Sequence, residues 1–379
     1  MLRPTSIGLE TGNGRSYGMS SLLQNQEFDW NLLDEFEWIQ KMKNCPQEPQ
    51  FHAEGDVYVH TRMVVAELLQ LEEFQALEEE SKTILLFAAL LHDVAKPNCT
   101  VTIDEVIRSP KHALVGEKIA RQLLWDSDFD LREKIAALVR LHGLPLWSLD
   151  KKSPNKSVIA SSLRVPNEWI YILSKADVLG RICEDQEDLL CRLELFKELC
   201  LENECFTKAK TFFNTHSRLQ YFQSDNDYTA DLYDDTEFEI ILMAGIAGSG
   251  KDTYIEQFGK NLPVVSLDEV RRELNIKFSD KNGQGKVVQY AYELAKEHCR
   301  KKQSFIWNST NLSQRIREKL IRTLLVYKPR IKIVYLETSL SNIYTRRKSQ
   351  IKAKSMTSML RILDMPQLTE VHEVVYRRN

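Results

Sequence analysis

The stretch FEIILMAGIAGSGKDT, residues 238–253, contains the residue types that bind phosphate. Mostly apolar residues that predict a buried strand are followed by three glycines, a lysine and a segment compatible with a helix. Glycine lets the backbone curl so that its N–H groups point at phosphate oxygens. The helix adds its positive N-terminal end, and the lysine reaches the outer phosphates as a point charge. The residues predicted to bind a nucleotide are Gly245, Gly248, Ser249, Gly250, Lys251, Asp252 and Thr253.

Asp252 departs from the phosphate-loop pattern, in which Ser or Thr follows the lysine. The hydroxyl expected there contacts Mg²⁺, whereas a carboxylate either binds the ion differently or repels the phosphates. Thr253 offers a hydroxyl one position later. We expect phosphoryl transfer with Mg²⁺ and an NTP, either ATP or GTP, and the role of Asp252 stays open. A glycine-rich turn that binds nothing is the less favoured alternative.

A possible acceptor side follows the next predicted strand, in the segment Ser266–Arg271. A carboxylate at the carboxyl end of a strand beside the loop can accept a proton from an incoming hydroxyl, so Asp268 is the predicted base. Arg271 lies one helical turn further on and on the same side, where it can clamp a phosphate of the acceptor. A helix N-cap followed by an ordinary i,i+3 ion pair is the alternative interpretation.

Histidines in the first half fall repeatedly at helix ends or first turns, and carboxylates accompany them. Imidazole and carboxylate together suit a borderline divalent metal, and Asp93 has two oxygens with which to bridge two ions. Two such ions can activate water and neutralise the charge of a phosphate. The predicted metal ligands are His60, His92, Asp93, His112, His142 and Asp177.

Hydrophobic periodicity divides the elements that position these residues into two classes. Apolar residues at three- and four-residue spacing predict an all-α first half, with Pro97 and Gly143 expected to end helices. The predicted helices are 60–71, 82–97, 111–125, 131–143, 169–182 and 186–201. Strands and helices then alternate, which predicts a parallel sheet with helices on both faces. The predicted strands are 238–244, 263–267, 304–308 and 331–337, with helices at 286–301 and 312–325.

The length of 379 residues allows two domains, and the charge distribution separates them. Residues 236–379 hold 26 Lys and Arg against 15 Asp and Glu, a net charge of +11, while residues 1–235 carry −14. A basic half with a phosphate loop favours a polyanionic partner such as nucleic acid, although nucleotide-binding domains are often basic. The predicted divisions are an all-α domain at 1–222, an acidic linker at 223–236 and an α/β domain at 237–379.

Cysteine usage and hydropathy bear on the compartment. The seven cysteines are odd in number and form no CxxC pair, which predicts reduced thiols in a cytoplasmic protein. We expect no membrane association, because no apolar run approaches the length of a membrane span and the N-terminus lacks the apolar core of a signal peptide.

The histidine pattern resembles the HD phosphohydrolase superfamily. His60, the dyad His92-Asp93 and Asp177 are similar to its H…HD…D signature, and the segments 52–61 and 90–97 resemble HD modules associated with RNA processing. The resemblance implies that His60, His92, Asp93 and Asp177 hold one ion, and that Asp93, His112 and His142 hold a second. The implied ions are divalent transition metals, Mn²⁺ or similar. Lys96, just past the dyad, would contact a substrate phosphate, with an ordinary surface lysine as the alternative.

The second half resembles the polynucleotide 5′-kinase family through GxxGSGK and SxDxxR. Asn308-Ser-Thr-Asn311 followed by Arg315 is similar to the D-x-T-N…R segment of that family, with Asn308 in place of the aspartate. The resemblance implies that Arg271, Asn311 and Arg315 contact the acceptor. The segment 342–348 resembles an arginine-bearing lid, in which Arg346 and Arg347 would neutralise charge on the transferring phosphoryl group.

An HD phosphohydrolase followed by a polynucleotide-kinase-like domain resembles the bacterial HD-Pnk family of RNA end-healing enzymes. The resemblance implies transfer of an NTP γ-phosphate to 5′-OH ends, with Lys251 stabilising charge, and hydrolysis of 2′,3′-cyclic, 2′ or 3′ phosphates at the other end. The implied partners are RNA ends, with DNA ends as a second candidate, and an RNA ligase that seals the healed product. Two rivals stay open: a small-metabolite or mononucleotide kinase fused to an HD nucleotidase, and an NTP-driven regulatory switch without turnover.

Overall fold

The computed structural model describes residues 17–259, 261–346 and 353–378, and the chain divides into two units between Lys210 and Thr211. The first unit is helical and the second is an α/β unit built on a parallel sheet, so the predicted fold class is confirmed. Within these described ranges, no helix combines the length and the apolar character needed to cross a membrane. All seven cysteines lie in these ranges and are unpaired.

Helices dominate the first unit. Its described elements in chain order are α1 (Met19–Leu22), β1 (Leu23–Gln24), β2 (Glu27–Phe28), α2 (Trp30–Leu33), α3 (Glu37–Met42), α4 (Val57–Gln70), α5 (Glu72–Gln75), α6 (Glu79–Leu91), α7 (Lys96–Cys99), β3 (Val101–Ile103), β4 (Val106–Arg108), α8 (His112–Leu123), α9 (Phe129–Leu141), α10 (Leu144–Trp147), α11 (Pro154–Ser162), α12 (Asn167–Leu179) and α13 (Gln186–Glu202).

The helix α6 lies at the centre of this unit because its run Ile84–Leu91 is apolar on every side and buried throughout. The helices α4, α9 and α12 pack around it. The sequence predicted that this helix continues to Pro97, which is wrong: it ends at Leu91, with His92 as its C-cap. Pro97 lies instead in the first turn of α7, where its missing N–H has no helical partner to lose. The helix end therefore delivers His92 and Asp93 together.

Two small hairpins are the exception to the all-α prediction for the first half. The strands β1 and β2 pair around Asn25 and Gln26, and β3 and β4 pair around Asp104 and Glu105. All four turn residues have positive φ, between 50° and 65°. A type I′ hairpin turn requires this conformation at both positions, and glycine is the residue that usually signals such a turn in a sequence. Neither turn contains glycine, so the pattern gave no such signal.

The second unit continues the element order. Its described elements are α14 (Thr215–Gln223), β5 (Phe238–Ala244), α15 (Lys251–Phe258), β6 (Val264–Ser266), α16 (Leu267–Glu273), α17 (Gly283–Arg300), β7 (Phe305–Asn308), α18 (Gln314–Leu325), β8 (Pro329–Glu337), α19 (Leu340–Arg346), α20 (Ala353–Ile362) and β9 (Glu373–Arg378).

The five strands form one parallel sheet in the order β6-β7-β5-β8-β9, with β5 in the middle. In register, Asn308 lies beside Met243 on one side and Ser266 on the other, so the carboxyl ends of β5, β6 and β7 share one edge. The four predicted strands are present. The strand β9 was not predicted, because it is an edge strand whose Tyr376, Arg377 and Arg378 are exposed and form no apolar pattern.

The segment before β5 belongs with the second unit. Arg218 on α14 donates hydrogen bonds to the carbonyls of Leu368 and His372, and Asp234 forms an ion pair with Arg330. The sequence placed the end of the first domain at 222 and an acidic linker at 223–236, whereas the units divide before α14. Two of the acidic residues that suggested a linker, Asp234 and Asp235, form ion pairs with Arg330 and Lys328.

A buried ion pair joins the first turn of α18 to the segment before β9. The Arg317 side chain is 0% exposed and donates two hydrogen bonds to Glu370, at 2.8 and 2.9 Å, and others to the carbonyls of Asn311, Leu312 and Asp364. Glu370 is itself 2% exposed at its side chain. Removing one member of such a pair leaves the other charge buried without compensation.

We therefore expect Arg317→Met to lower the free energy of unfolding of the second unit by about 3–5 kcal/mol. Hydrogen exchange followed by mass spectrometry on peptides from β5 and β8 measures this unit alone. Arg322→Met is the control, because Arg322 is an exposed arginine on the same helix. Equal protection in the two variants would contradict the expectation.

Candidate functional site

Six predicted ligands converge in the first unit, around Asp93. The Asp93 Oδ2 atom lies 3.2 Å from His92 Nε2 and 3.9 Å from His60 Nε2, and its Oδ1 atom lies 3.5 Å from His112 Nε2. His60 Nε2 also lies 3.0 Å from Asp177 Oδ1. His142 Nε2 completes the group at 3.4 Å from His112 Nε2. Five of the six are buried, and His112 is partly exposed.

Local structure fixes which ring nitrogen of each histidine faces inward. His92, His112 and His142 each donate Nδ1–H to the carbonyl three residues earlier, at 2.7 to 2.8 Å. A carbonyl can only accept, so Nδ1 carries a proton in each ring and Nε2 is the nitrogen left to face a metal. Two of these bonds occur where α6 and α9 end, so the helix ends themselves orient the ligands.

The donor set fits divalent ions. Among the described residues, His92 Nε2 and Asp93 Oδ1 are buried and have no hydrogen-bond partner, which leaves two ligand atoms for an ion. Burial lowers the pKa of His142 to about 3, so its ring is in the neutral, ligating form. Two triads have their ligand atoms within 4.8 Å of one another: His60, His92 and Asp93, and Asp93, His112 and His142. Asp93 is shared, which suits a bridged pair of ions.

Lys96 lies inside this cluster and not on the surface. Its Nζ atom is 2.7 Å from Asp93 Oδ2 and donates to Gln47 Oε1 at 2.6 Å. Burial alone would raise the pKa of Asp93, but Lys96 and His92 hold that pKa well below its ordinary value. The carboxylate is therefore ionised, as a metal ligand must be. The contact of Lys96 with a substrate phosphate stays a prediction.

Two side chains that hold the ligands were not predicted from the sequence. Glu54, whose side chain is 0% exposed, lies 2.8 Å from Nδ1 of His60 and 2.8 Å from Nδ1 of His52, and accepts the backbone N–H of Ile182 at 2.9 Å. Arg181 bonds both oxygens of Asp177. A carboxylate on the far nitrogen of a histidine ligand fixes its tautomer and raises its basicity. The sequence signal for Glu54 is its position between two histidines in the segment HAEGDVYVHT, residues 52–61.

We expect Glu54→Gln to weaken binding of Mn²⁺ to the first unit by about 10–100-fold, because His60 loses the carboxylate that orients it. Calorimetric titration of the metal-free full chain with Mn²⁺ gives the affinity. Glu80→Gln, an exposed residue of α6, is the control and should bind Mn²⁺ like the wild type. Unchanged affinity in Glu54→Gln would show that Glu54 has no role in orienting His60.

The phosphate loop in the second unit has the backbone that its glycines predict. Gly245, Gly248 and Gly250 have φ values of +138°, +91° and +100°. A Cβ atom at Gly245 would lie 2.4 Å from the carbonyl oxygen of Leu336, so both conformation and space require glycine there. Lys251 Nζ donates to the carbonyls of Gly245 and Ile246, at 3.0 Å each, across the curl of the loop. Ser249 is buried.

The predicted acceptor residues lie at the same edge of the sheet. Ser266 caps α16 and accepts the N–H of Glu269 at 3.4 Å, and Arg271 pairs with Asp268 at 2.5 Å. The Asp268 side chain is 87% exposed, so an incoming hydroxyl can reach it. Arg271 is held further by Gln284, at 2.8 Å, and lies 5.2 Å from the ring of Phe278. The cap and the ion pair of the alternative interpretation exist, and they leave the carboxylate open.

The structure does not bring together the other residues predicted to contact the acceptor and the nucleotide. Asn311 is 3% exposed and donates to the carbonyl of Met243 at 2.7 Å, which ties the end of β5 to the loop after β7. Its amide is thus committed to the backbone, whereas Arg315 is exposed on α18. Arg346 is the last residue of α19, but its side chain lies outside the described residues, as does the whole of Arg347.

The oxygen ligands that Mg²⁺ requires are present beside the loop. Asp252 and Thr253, in the first turn of α15, are exposed, and Asp252 Oδ1 accepts a hydrogen bond from Asn308 Nδ2 at 2.8 Å. Carboxylate, hydroxyl and amide oxygens are all suitable ligands for a hard cation. The residues therefore fit the magnesium that accompanies an NTP in a P-loop kinase.

Comparisons with known proteins agree with this two-part description. The profile of the HD domain family matches residues 57–169, and the profile of an AAA domain family matches residues 240–365. The chain therefore carries an HD phosphohydrolase domain, which implies divalent metal binding, followed by a P-loop kinase-like domain, which implies an NTP and Mg²⁺. No curated protein matches the chain.

Solved structures match part of this chain at low identity. A protein of Chloroflexus aurantiacus assigned as a kinase has 18% identity, with 38% of this chain and 86% of that chain covered and a TM-score of 0.32. A gluconokinase from Sinorhizobium meliloti has 16% identity, with 38% and 83% covered and a TM-score of 0.29. An APS kinase from Mycobacterium tuberculosis, solved with AMPPNP and APS, has 14% identity, with 37% and 89% covered and a TM-score of 0.29.

Proposed function

We propose that this protein heals nucleic-acid ends. In this proposal the second domain phosphorylates a 5′-OH, and the first removes a 2′,3′-cyclic, 2′ or 3′ phosphate. The observation that carries it is the Asp268–Arg271 pair, whose carboxylate is exposed, beside a phosphate loop in a chain that also holds a histidine and carboxylate cluster. Cleaved RNA commonly presents both defects, so one enzyme with both activities prepares ends for a ligase. The proposed pair of activities resembles that of the HD-Pnk family, and we propose that the protein acts in the cytoplasm.

In the kinase domain the charged side chains have separate roles in binding phosphate and in accepting a proton. Arg271 binds the phosphate that follows the acceptor nucleoside, because its guanidinium is already oriented by Gln284 and Asp268. Asp268 then accepts the proton of the 5′-OH. Lys251 leaves the loop carbonyls and contacts the outer phosphates of the NTP. A bound Mg²⁺ supplies charge neutralisation on the phosphates.

In the HD domain the six ligands would hold the ions, and divalent ions there supply an activated water and charge neutralisation on the phosphate. The Nδ1–H bonds of His92, His112 and His142 keep their Nε2 atoms aimed at the cluster. Lys96 lies within reach of a phosphate oxygen bound there, because its Nζ is 2.7 Å from the central carboxylate of Asp93. A basic kinase half, +11 over residues 236–379, favours a polyanionic substrate over a small metabolite.

The direct test uses a labelled RNA that carries a 5′-OH and a 2′,3′-cyclic phosphate, incubated with ATP or GTP, Mg²⁺ and Mn²⁺. Both ends are followed by gel mobility and by release of phosphate. We expect a new 5′-phosphate and loss of the cyclic phosphate. Untouched ends with phosphorylation of a free nucleoside or sugar would establish the metabolite-kinase alternative, and no turnover of either kind would favour the regulatory switch.

A further inference from the structure

The hydrogen bond between Asp252 and Asn308 joins two unusual residues at the phosphate loop. Asp252 is the second residue of α15, and Asn308 is the last residue of β7. The bond from Asn308 Nδ2 to Asp252 Oδ1 measures 2.8 Å. A carboxylate can only accept, so the amide nitrogen of Asn308 faces Asp252 and its carbonyl oxygen faces away.

P-loop enzymes hold Mg²⁺ with a Ser or Thr after the loop lysine and with an aspartate at the end of a neighbouring strand. The strand β7 is that neighbour, because Asn308 lies in register with Met243 of β5. In this chain the strand end carries the amide and the position after Lys251 carries the carboxylate. One carboxylate is still present, but it comes from the helix and not from the strand.

We propose that Asp252 is the protein carboxylate that binds the Mg²⁺ of the nucleotide, and that Asn308 positions it. Asp252 and Asn308 both depart from the usual pattern. In this proposal the carboxylate has moved from the end of the strand to the start of the neighbouring helix. The amide of Asn308 holds Asp252 at the carboxyl edge of the sheet, where an NTP meets the loop. The inference concerns the phosphate donor alone and does not depend on the proposed acceptor.

The negative charge of Asp252 has opposite effects on nucleotide binding with and without a cation. A carboxylate at the start of a helix is stabilised by the N-terminal end of the helix, which explains why Asp252 is tolerated without a nucleotide. When phosphates occupy the loop, the same carboxylate repels them unless a cation lies between. Asp252 therefore favours nucleotide binding if it binds Mg²⁺, and opposes it if it does not.

The experiment is calorimetric titration of the full chain with ADP, once with Mg²⁺ and once with EDTA. In the wild type we expect Mg²⁺ to tighten ADP binding. In Asp252→Asn the gain from Mg²⁺ should fall by about tenfold, the effect of losing one charged contact, while binding in EDTA is unchanged or tighter. Glu256→Gln is the control, because it removes the same charge from an exposed residue of the same helix. Tighter ADP binding by Asp252→Asn in both media would overturn the proposal.

A transposed double variant tests the exchange directly. Asp252→Ser together with Asn308→Asp restores the usual arrangement, and we expect it to recover the gain from Mg²⁺ that Asp252→Asn loses. A double variant that is folded by circular dichroism but lacks the gain would overturn the exchange. The readout needs no RNA, so it fails or succeeds separately from the end-healing function.

Discussion

Asp93→Asn is expected to lower hydrolysis of a 2′,3′-cyclic phosphate end by more than about a hundredfold, because loss of an outer partner of a ligand already costs 10–100-fold. Asp93 belongs to both ligand triads, so its loss affects both ions. Asparagine keeps the size of the side chain and removes the charge that pairs with Lys96. The measurement is the initial rate of the 3′-end reaction with saturating Mn²⁺, together with the Mn²⁺ content of the protein after dialysis.

The control for this prediction is within the same molecule. Phosphorylation of the 5′-OH by Asp93→Asn should stay within about twofold of the wild type, because Asp93 belongs to the first unit and the phosphate loop to the second. Full 3′-end activity in Asp93→Asn would exclude the histidine cluster as the hydrolytic site. Loss of both activities would indicate a folding defect, which circular dichroism would detect.

The second large effect is expected in the kinase domain. Asp268→Asn should lower the rate of 5′-OH phosphorylation by about 10²–10⁴-fold, the usual contribution of a general base. Binding of MgADP should not change, because Asp268 lies on the acceptor side, after β6. Removal of its charge also weakens the hydrogen bond that Arg271 donates to it, whereas the hydrogen bond from Arg271 to Gln284 remains.

Glu269→Gln is the matched control for Asp268→Asn. Glu269 is the next residue on the same helix, and its side chain is 62% exposed. Rates are measured at saturating ATP with a 5′-OH RNA. If Asp268→Asn loses no more activity than Glu269→Gln, the carboxylate is only part of the helix cap and ion pair, and the base is another group.

Most of the residues that the structure brings together around Asp93 and at the phosphate loop could be picked out from the sequence, because each depends on local chemistry. Glycines followed by a lysine specify the loop, and histidines at helix ends specify their own orientation through the carbonyl three residues earlier. The central helix was recognisable from its apolar run, although its end at Leu91 was not. Apolar residues continue the helical spacing beyond Leu91, and the position of Pro97 suggested a later end for the helix.

Contacts between residues far apart in the chain were not predictable in the same way. Glu54 and His60 are close in sequence, but the carboxylate of Glu54 is held by the backbone N–H of Ile182, which lies 128 positions away. The partnership of Asp252 and Asn308 spans 56 positions and needs the parallel register of β5 and β7. Asn311 was assigned to the substrate, whereas the fold directs its amide to the carbonyl of Met243. A single sequence carries no register, so it could not relate these residues.

The position of α14 sets where the two activities can be separated by truncation. A fragment that starts at 237 lacks Arg218 and Asp234, and therefore leaves the carbonyl of His372 and the guanidinium of Arg330 without these partners. A fragment that starts at 211 keeps them all. Kinase fragments for crystallisation or for complementation in trans should therefore begin before α14, and hydrolase fragments should end at 210.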